Sequence, residues 1–173
     1  VAVLGLSVTG FSVADTLTEL GAEVLVVTEK ADEEYARLLP VIGAALHVGP
    51  LSEAPSALVA FDPEVVIASP GFAPSHPVIR WVQDQGIALW GDIEVAWRVR
   101  DKVLRADGSP ADWVLITGTN GKTTTTRLTA EMIVAGGLRA APVGNIGTPI
   151  LDAVRDPAGF DVLVVELSSH QLW

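Results

Sequence analysis

The sequence contains no cysteine among its 173 residues and only one methionine and one tyrosine. A chain without cysteine has neither a disulfide framework nor a thiolate metal site, which is typical of a protein in a reducing compartment. Basic residues are also scarce, since 11 Lys and Arg stand against 21 Asp and Glu, for a formal net charge of −10. A field of this sign repels nucleic acid and anionic membranes, so we expect neither as a partner.

Long hydrophobic runs are missing as well, although 49% of the residues are hydrophobic. No apolar run approaches the ~18 residues needed to cross a bilayer. The apolar residues form short Val, Ile, Leu and Ala runs, as expected for parallel strands buried between helices. The chain opens inside such a run with no basic segment before it, so we expect no signal peptide, a cytoplasmic location and a piece of a longer polypeptide.

Short strand patterns alternate with helical patterns along the whole chain. This order predicts an α/β fold with doubly wound parallel sheets. The predicted strands are 1–4, 23–28, 45–48, 65–68, 87–89, 113–117, 140–143 and 161–165. The predicted helices are 9–20, 32–39, 52–59, 76–85, 92–100, 122–135 and 149–155.

A polar segment at residues 101–112 interrupts the alternation, with Asp-Gly and Ser-Pro turn signals. We therefore predict a Rossmann-like domain at 1–103, a linker at 104–111 and the first part of a P-loop domain at 112–173. The last region is too short to bury a secure core alone, so we expect the rest of that domain to be missing.

A glycine-rich loop follows the predicted strand 113–117 and leads into a helix. Glycines turn backbone N–H groups onto phosphate oxygens, and the helix N-terminus adds its positive end. The usual phosphate-loop pattern, Gly-x-x-x-x-Gly-Lys-[Ser/Thr], is not matched fully, because Ile116 stands where its first glycine belongs. An ordinary strand-to-helix turn is the alternative, but the order of elements favours a nucleoside triphosphate site. Its predicted members are Gly118, Thr119, Asn120, Gly121, Lys122, Thr123 and Thr124.

An acid, Glu166, ends the last apolar strand. Carboxyl ends of parallel strands share one edge of the sheet, so Glu166 is predicted to lie beside the phosphate loop with the segment 144–147. A carboxylate there can hold a metal ion that bridges phosphates, with the Thr123 hydroxyl as a second ligand. The alternative is a solvated or helix-capping acid.

The first ten residues resemble the opening of a dinucleotide-binding fold, with a strand, a glycine turn and a helix. Ser7 stands where the pattern Gly-x-Gly-x-x-Gly has its middle glycine, and Thr28 stands where a ribose-binding acid is expected. This favours a nucleotide or sugar diphosphate at the helix N-terminus over NAD. The alternative that this turn binds no ligand remains open.

Taken together, these segments resemble the Mur ligase family over essentially the whole chain. The phosphate loop and Glu-Leu-Ser-Ser at 166–169 are shared across that family. Ser-Pro-Gly at 69–71 and Gly-Asp-Ile-Glu at 91–94 point to its D-glutamate-adding members. The remaining motifs are Gly-Leu-Ser-Val-Thr-Gly at 5–10 and Gly-Asn-Ile-Gly at 144–147.

The resemblance implies a three-domain, monomeric ligase of peptidoglycan synthesis. It would use ATP and Mg²⁺ to join D-glutamate to UDP-N-acetylmuramoyl-L-alanine through an acyl phosphate, and the fragment alone would be inactive. Lys122 and Asn145 would be catalytic, 118–124 would hold ATP, and Thr123 and Glu166 would hold Mg²⁺. Contacts to the UDP part would come from Ser7, Val8, Thr9, Thr28, Glu29, Lys30 and Gly71.

Three alternatives remain open at this point. One is a related member that adds L-alanine, and another is a non-catalytic nucleotide-sensing module. The third, folylpolyglutamate synthetase, is disfavoured because it lacks a Rossmann-like domain before its ATP loop. His170, after Glu-Leu-Ser-Ser, is interpreted as a packing or surface residue.

Overall fold

The computed structural model describes residues 1–168 and 171. Contacts divide the chain into two units, Val1–Asp92 and Ile93–Trp173. Residues 104–111, predicted to be a linker, therefore fall within the second unit, and the predicted domain bounds stay a prediction. Nowhere in the described ranges is a helix both long and apolar enough to span a membrane. His170, predicted to be a packing or surface residue, lies outside the described residues.

The first unit alternates strands and helices from its start to its end. Its strands are β1 (Ala2–Leu4), β2 (Leu25–Thr28), β3 (Ala45–Val48), β4 (Val65–Ala68) and β5 (Ala88–Gly91). Its helices are α1 (Val8–Glu19), α2 (Glu33–Ile42), α3 (Ser56–Phe61) and α4 (Pro77–Asp84).

All five strands of this unit pair in parallel in the order β3-β2-β1-β4-β5. The three residues of β1, at the centre, are all buried, as expected for a strand covered on both faces. The chain winds outward in opposite directions from β1, so the crevice at the carboxyl ends of β1 and β4 is the topological switch point.

The second unit has a smaller sheet of three parallel strands. It contains α5 (Asp92–Arg98, starting at the last residue of the first unit), β6 (Asp112–Ile116), α6 (Lys122–Ala135), β7 (Ala140–Gly144), α7 (Ile150–Val154) and β8 (Val162–Glu166). The strand order is β6-β8-β7, and all five residues of the central β8 are buried. Ala130, Val162 and Val164 form its core with Ile116, Ile133 and Ala140 packed against them.

The α/β fold with parallel sheets, predicted from the alternation, is confirmed. Each predicted strand and helix has a counterpart in the structure. The predicted helix 52–59 is shifted, because α3 starts only at Ser56, after Pro55. A residue before proline is disfavoured in helical conformation, so Pro55 sets the earliest start of this helix.

Candidate functional site

The carboxyl ends of the three strands in the second unit lie side by side. Glu166, the last residue of β8, pairs with Ile116 of β6 on one side and with Gly144 of β7 on the other. The Leu167 N–H donates to the Ile116 carbonyl at 2.8 Å, and the Asn145 N–H donates to the Glu166 carbonyl at 3.0 Å. The loops that follow these strands therefore begin at one edge of the sheet, as the sequence predicts.

The loop after β6 ends at the N-terminus of α6. Gly121 is the N-cap, with φ +76°, and it makes no side-chain cap to the helix. Its left-handed conformation favours glycine, which has no Cβ to clash. The first N–H groups of a helix lack intrahelical acceptors, and the first turn of α6 contains no acidic residue. This end of the helix thus offers N–H donors and a positive dipole to an anion.

Lys122, the first residue of α6, makes a hydrogen bond back to the start of the loop. Its Nζ donates to the Gly118 carbonyl at 2.8 Å. The ammonium group therefore lies over the loop, where a Lys of this pattern reaches the terminal phosphates of a nucleotide.

Two uncharged donors hold the Glu166 carboxylate. The Thr123 hydroxyl donates to Oε2 at 2.9 Å, and the Asn145 amide Nδ2 donates to Oε1 at 3.2 Å. Glu166 is only 2% exposed. The structure thus brings Lys122, Thr123, Asn145 and Glu166 to one edge of the sheet, although their individual roles stay predictions.

The donor set fits a magnesium ion. A carboxylate and a hydroxyl are hard oxygen ligands, which Mg²⁺ prefers. No group of three His, Cys, Asp or Glu residues that could hold a metal occurs in the part of the chain that the structure describes. Mg²⁺ is usually bound by one or two carboxylates together with substrate phosphates and water, so this site fits a cation that arrives with a nucleotide.

The predicted UDP-contact residues lie around the switch point of the first unit. Ser7 is the N-cap of α1, and its hydroxyl accepts from the Gly10 N–H at 3.4 Å. Ser7 and Val8 are exposed and Thr9 is half-buried. Gly71 follows β4 and is also exposed. An α1 N-terminus with a short polar cap at a switch point is a common anion site in such folds.

The other three predicted residues lie where β2 ends: Thr28 is its last residue, and Glu29 and Lys30 follow it. Two of their side chains make local hydrogen bonds. The Thr28 hydroxyl donates to the Lys30 carbonyl at 2.8 Å. The Glu29 carboxylate accepts from the Leu51 N–H at 3.2 Å. Lys30 is exposed and adds a cation at this edge.

Ser69 is the first residue of the Ser-Pro-Gly motif at 69–71, and no role was predicted for it. Its Oγ is buried and has no hydrogen-bond partner among the described residues. It lies at the end of β4, and a Cβ on Gly5 would come within 3.0 Å of it. A small polar residue directly after a buried strand was the available signal, because that position faces the switch point.

A parallel sheet, a glycine-rich loop leading into a Lys-Thr helix start and an acid on the neighbouring strand are together the arrangement of P-loop nucleotide-binding proteins. The family description "Mur ligase MurD-like, N-terminal domain" matches residues 1–91, and "Mur ligase middle domain" matches residues 116–173. The chain belongs to the Mur ligase family.

Curated relatives carry a more specific name. The chain is 62% identical to UDP-N-acetylmuramoylalanine–D-glutamate ligase of Leifsonia xyli subsp. xyli, and 42% identical to the protein of that name from Streptomyces coelicolor. Both alignments cover 99% of this chain, but only 34% and 36% of the respective relatives. The chain thus spans about a third of their length.

Solved structures agree on the fold. A murein peptide ligase of Psychrobacter arcticus aligns over 96% of this chain and 37% of its own, with a TM-score of 0.53 and 19% identity. UDP-N-acetylmuramate:L-alanyl-gamma-D-glutamyl-meso-diaminopimelate ligase of Neisseria meningitides aligns over 95% of this chain and 51% of its own, with a TM-score of 0.55 and 19% identity. At such identity the likeness shows the fold alone.

Proposed function

We propose that this chain is the precursor-binding and ATP-binding part of a ligase that joins D-glutamate to UDP-N-acetylmuramoyl-L-alanine in peptidoglycan synthesis. The observation that carries the proposal is the hydrogen bond of 2.9 Å from Thr123 to Glu166 at the N-terminus of α6. It joins the two predicted Mg²⁺ ligands beside the phosphate loop. The names of relatives up to 62% identical support the choice of substrates.

The second unit would bind the triphosphate of ATP. The N–H groups of residues 118–124 would donate to phosphate oxygens, and Lys122 would leave the Gly118 carbonyl to neutralise the terminal phosphates. Thr123 and Glu166 would hold Mg²⁺, which when bound screens the charge on the phosphates.

The chemistry needs an activated acid, because a carboxylate is a poor electrophile. Transfer of the γ-phosphoryl group of ATP to the carboxylate of the alanyl end gives an acyl phosphate and ADP. Attack by the amine of D-glutamate then forms the amide, and inorganic phosphate leaves. Asn145, at the same edge as Lys122, would lie near the reacting groups.

The first unit would hold the UDP part of the precursor. Backbone N–H groups at residues 7–9 would meet the diphosphate at the start of α1, and the turn 28–30 and Gly71 would line the uridine pocket. D-Glutamate would bind to a part of the protein outside this chain. The proposed setting is a cytoplasmic monomer that binds neither nucleic acid nor membrane, in keeping with its net charge of −10.

Lys122→Ala in the whole protein tests the proposal. We expect ligase activity to fall by about 10²- to 10³-fold, as for the loss of a principal group that stabilises charge in a transition state. Binding of UDP-N-acetylmuramoyl-L-alanine should stay within a few-fold, because its proposed site is in the first unit.

Arg127→Ala is the matched control, since Arg127 is an exposed cation on the same helix, outside the loop. Phosphate release that depends on D-glutamate measures the activity, and calorimetry measures precursor binding. Substantial turnover by Lys122→Ala would contradict the proposed phosphate site.

A further inference from the structure

Asn145 contacts Glu166 twice. Its backbone N–H donates to the Glu166 carbonyl at 3.0 Å, and its side-chain Nδ2 donates to Glu166 Oε1 at 3.2 Å. One residue of the β7 end thus fixes both the main chain and the carboxylate of the β8 end. Because an ionised carboxylate only accepts hydrogen bonds, the amide must turn its Nδ2 toward Glu166 and its Oδ1 away.

The loop that carries Asn145 is shaped for this contact. Gly144 has φ +97°, and a Cβ there would lie 2.5 Å from the Glu166 carbonyl oxygen. Gly147 has φ +68°, and a Cβ there would lie 2.6 Å from the Pro142 carbonyl oxygen. The chain also returns to β7 through a bridge between Val143 and Thr148. Two close backbone approaches therefore hold Asn145 against the carboxylate.

The two carboxylate oxygens have separate partners. Asn145 holds Oε1, while Oε2 accepts from Thr123, the other predicted Mg²⁺ ligand. With Oε1 held, rotation of the carboxylate about its terminal bond is restricted, so Oε2 stays on the side of Thr123 and the phosphate loop. Partners of this kind orient a metal ligand without touching the metal.

We infer that Asn145 is a positioning residue, which orients Glu166 and thereby sets the affinity of the site for the divalent cation that accompanies ATP. Its amide acts through the carboxylate, and its removal weakens cation binding while nucleotide binding without metal is retained. This inference rests on the proposed ATP and Mg²⁺ site, and it adds a positioning role to the place near the reacting groups proposed above for Asn145.

The test measures binding by the whole protein rather than turnover. Calorimetry first gives the affinity for ATP in EDTA. A Mg²⁺ titration then gives the Mg²⁺ concentration at which half of the metal-dependent increase in ATP affinity is reached. We expect Asn145→Ala to raise that Mg²⁺ concentration 10- to 100-fold, the usual effect of losing an outer partner of a metal ligand. Affinity for metal-free ATP should stay within about twofold of wild type.

Two comparisons separate positioning from a general structural effect. Thr148→Ala removes a side chain from the same loop and should leave the Mg²⁺ dependence unchanged. In the Glu166→Gln background, Asn145→Ala should add little further loss, because both changes act on one interaction. Asn145→Ser provides a second variant if the alanine variant does not fold; its hydroxyl is too short to reach Oε1, so the same shift is expected.

An unchanged Mg²⁺ midpoint in Asn145→Ala, a loss of metal-free ATP affinity, or full additivity with Glu166→Gln would each overturn the inference. These outcomes leave the proposed function intact, provided that the wild-type protein binds ATP more tightly with Mg²⁺. Wild-type protein that binds no ATP at any Mg²⁺ concentration would instead overturn the proposed function.

Discussion

Glu166 is an unusual residue to bury, because a carboxylate loses strong hydration when it leaves water. Both donors that reach its carboxylate in the described ranges, Thr123 and Asn145, are uncharged. Hydrogen bonds of this kind satisfy the oxygens but do not neutralise the charge. A divalent cation would do so when bound, which is why the proposed function assigns Glu166 to Mg²⁺.

Gly144→Ala is predicted to destabilise the second unit by more than its backbone conformation alone explains. A residue with a Cβ is strained at φ +97°, and here that Cβ would also overlap the Glu166 carbonyl oxygen. Gly137→Ala is the matched control. Gly137 has φ +91°, and a Cβ there would meet nothing within 4 Å among the described residues beyond its own chain neighbours.

Urea denaturation measures both variants. The control should lose about 1 kcal/mol from the left-handed backbone conformation, and Gly144→Ala should lose roughly 1–3 kcal/mol more from displacement of the β8 end. Equal losses in the two variants would mean that the close approach to Glu166 has no energetic consequence.

At the residue level, the position of a side chain at a sheet edge could be predicted where one geometric rule was sufficient. Lys122 and Glu166 are 44 positions apart in the sequence, yet Glu166 ends one strand of a parallel sheet and Lys122 follows the loop after the neighbouring strand, so their shared edge could be predicted. The hydrogen-bond partners of individual oxygen atoms could not be predicted in this way. The bond from the Leu51 N–H to Glu29 depends on how the segment after β3 returns to the end of β2, which no local pattern specifies.

Among the elements, the helices differ from prediction in where they begin and end, and proline and glycine residues determine these positions. The predicted helix 32–39 stops before Pro40, but α2 continues through it to Ile42. Gly43 then ends the helix with φ +85°, and its N–H bonds back to the last turn. A proline removes one backbone donor, and here a glycine C-cap rather than the proline determined the end of the helix.

The segment 104–111 is polar, which favoured a linker, yet it has a defined hydrogen-bonded structure. The Arg105 guanidinium donates to Asp112 at 3.0 Å and to the Asp161 carbonyl at 3.3 Å, which ties the segment to the starts of β6 and β8. Its Nε also donates to Ser109 Oγ at 2.9 Å. The hydrogen bond and ion pair with Asp112 raise the pKa of Arg105 above its ordinary value. Polar composition indicates exposure but cannot distinguish a loose linker from a turn held by side chains.

Ser109→Ala is predicted to raise the pKa of Asp107 toward its ordinary value. In the folded chain the Ser109 hydroxyl donates to the Asp107 carboxylate and, with the Ser109 N–H, lowers the pKa of Asp107. The ionised form therefore stabilises the fold above the ordinary pKa, and that stabilisation is lost as the pH falls through the lowered value.

Carbon-13 NMR of the aspartate carboxyl groups follows this titration. An Asp107 titration that is identical in wild type and Ser109→Ala would show that the hydroxyl is not the source of the shift.

At the scale of the whole molecule, both units place their candidate ligand groups by the same rule. In each, the groups lie at the carboxyl ends of parallel strands and next to the N-terminus of the following helix, α1 or α6. Backbone dipoles and free N–H groups supply positive potential there, although the chain as a whole carries a charge of −10. The two proposed sites would thus let an acidic protein bind polyphosphates locally while its net charge repels long polyanions.

The residues at the end of β2 favour a UDP precursor over a dinucleotide as the ligand of the first unit. A dinucleotide site of this fold uses an acid there to accept hydrogen bonds from a ribose. This chain has Thr28, whose hydroxyl is bonded to the Lys30 carbonyl, and the Glu29 carboxylate accepts from the Leu51 N–H. Lys30 instead adds positive charge. We therefore predict that UDP-N-acetylmuramoyl-L-alanine binds the chain at least about tenfold more tightly than NAD, since loss of one charged hydrogen bond costs about 1.5–3 kcal/mol.

Calorimetry with the complete chain measures both affinities, and UDP alone shows how much the nucleotide part contributes. Lys122→Ala should keep the precursor affinity within a few-fold of wild type, because that residue belongs to the phosphate loop of the second unit. Tighter binding of NAD would contradict the prediction and favour a dehydrogenase-like first unit. Precursor binding that is lost in Lys122→Ala would mean that the precursor is held at the phosphate loop rather than at the switch point between β1 and β4.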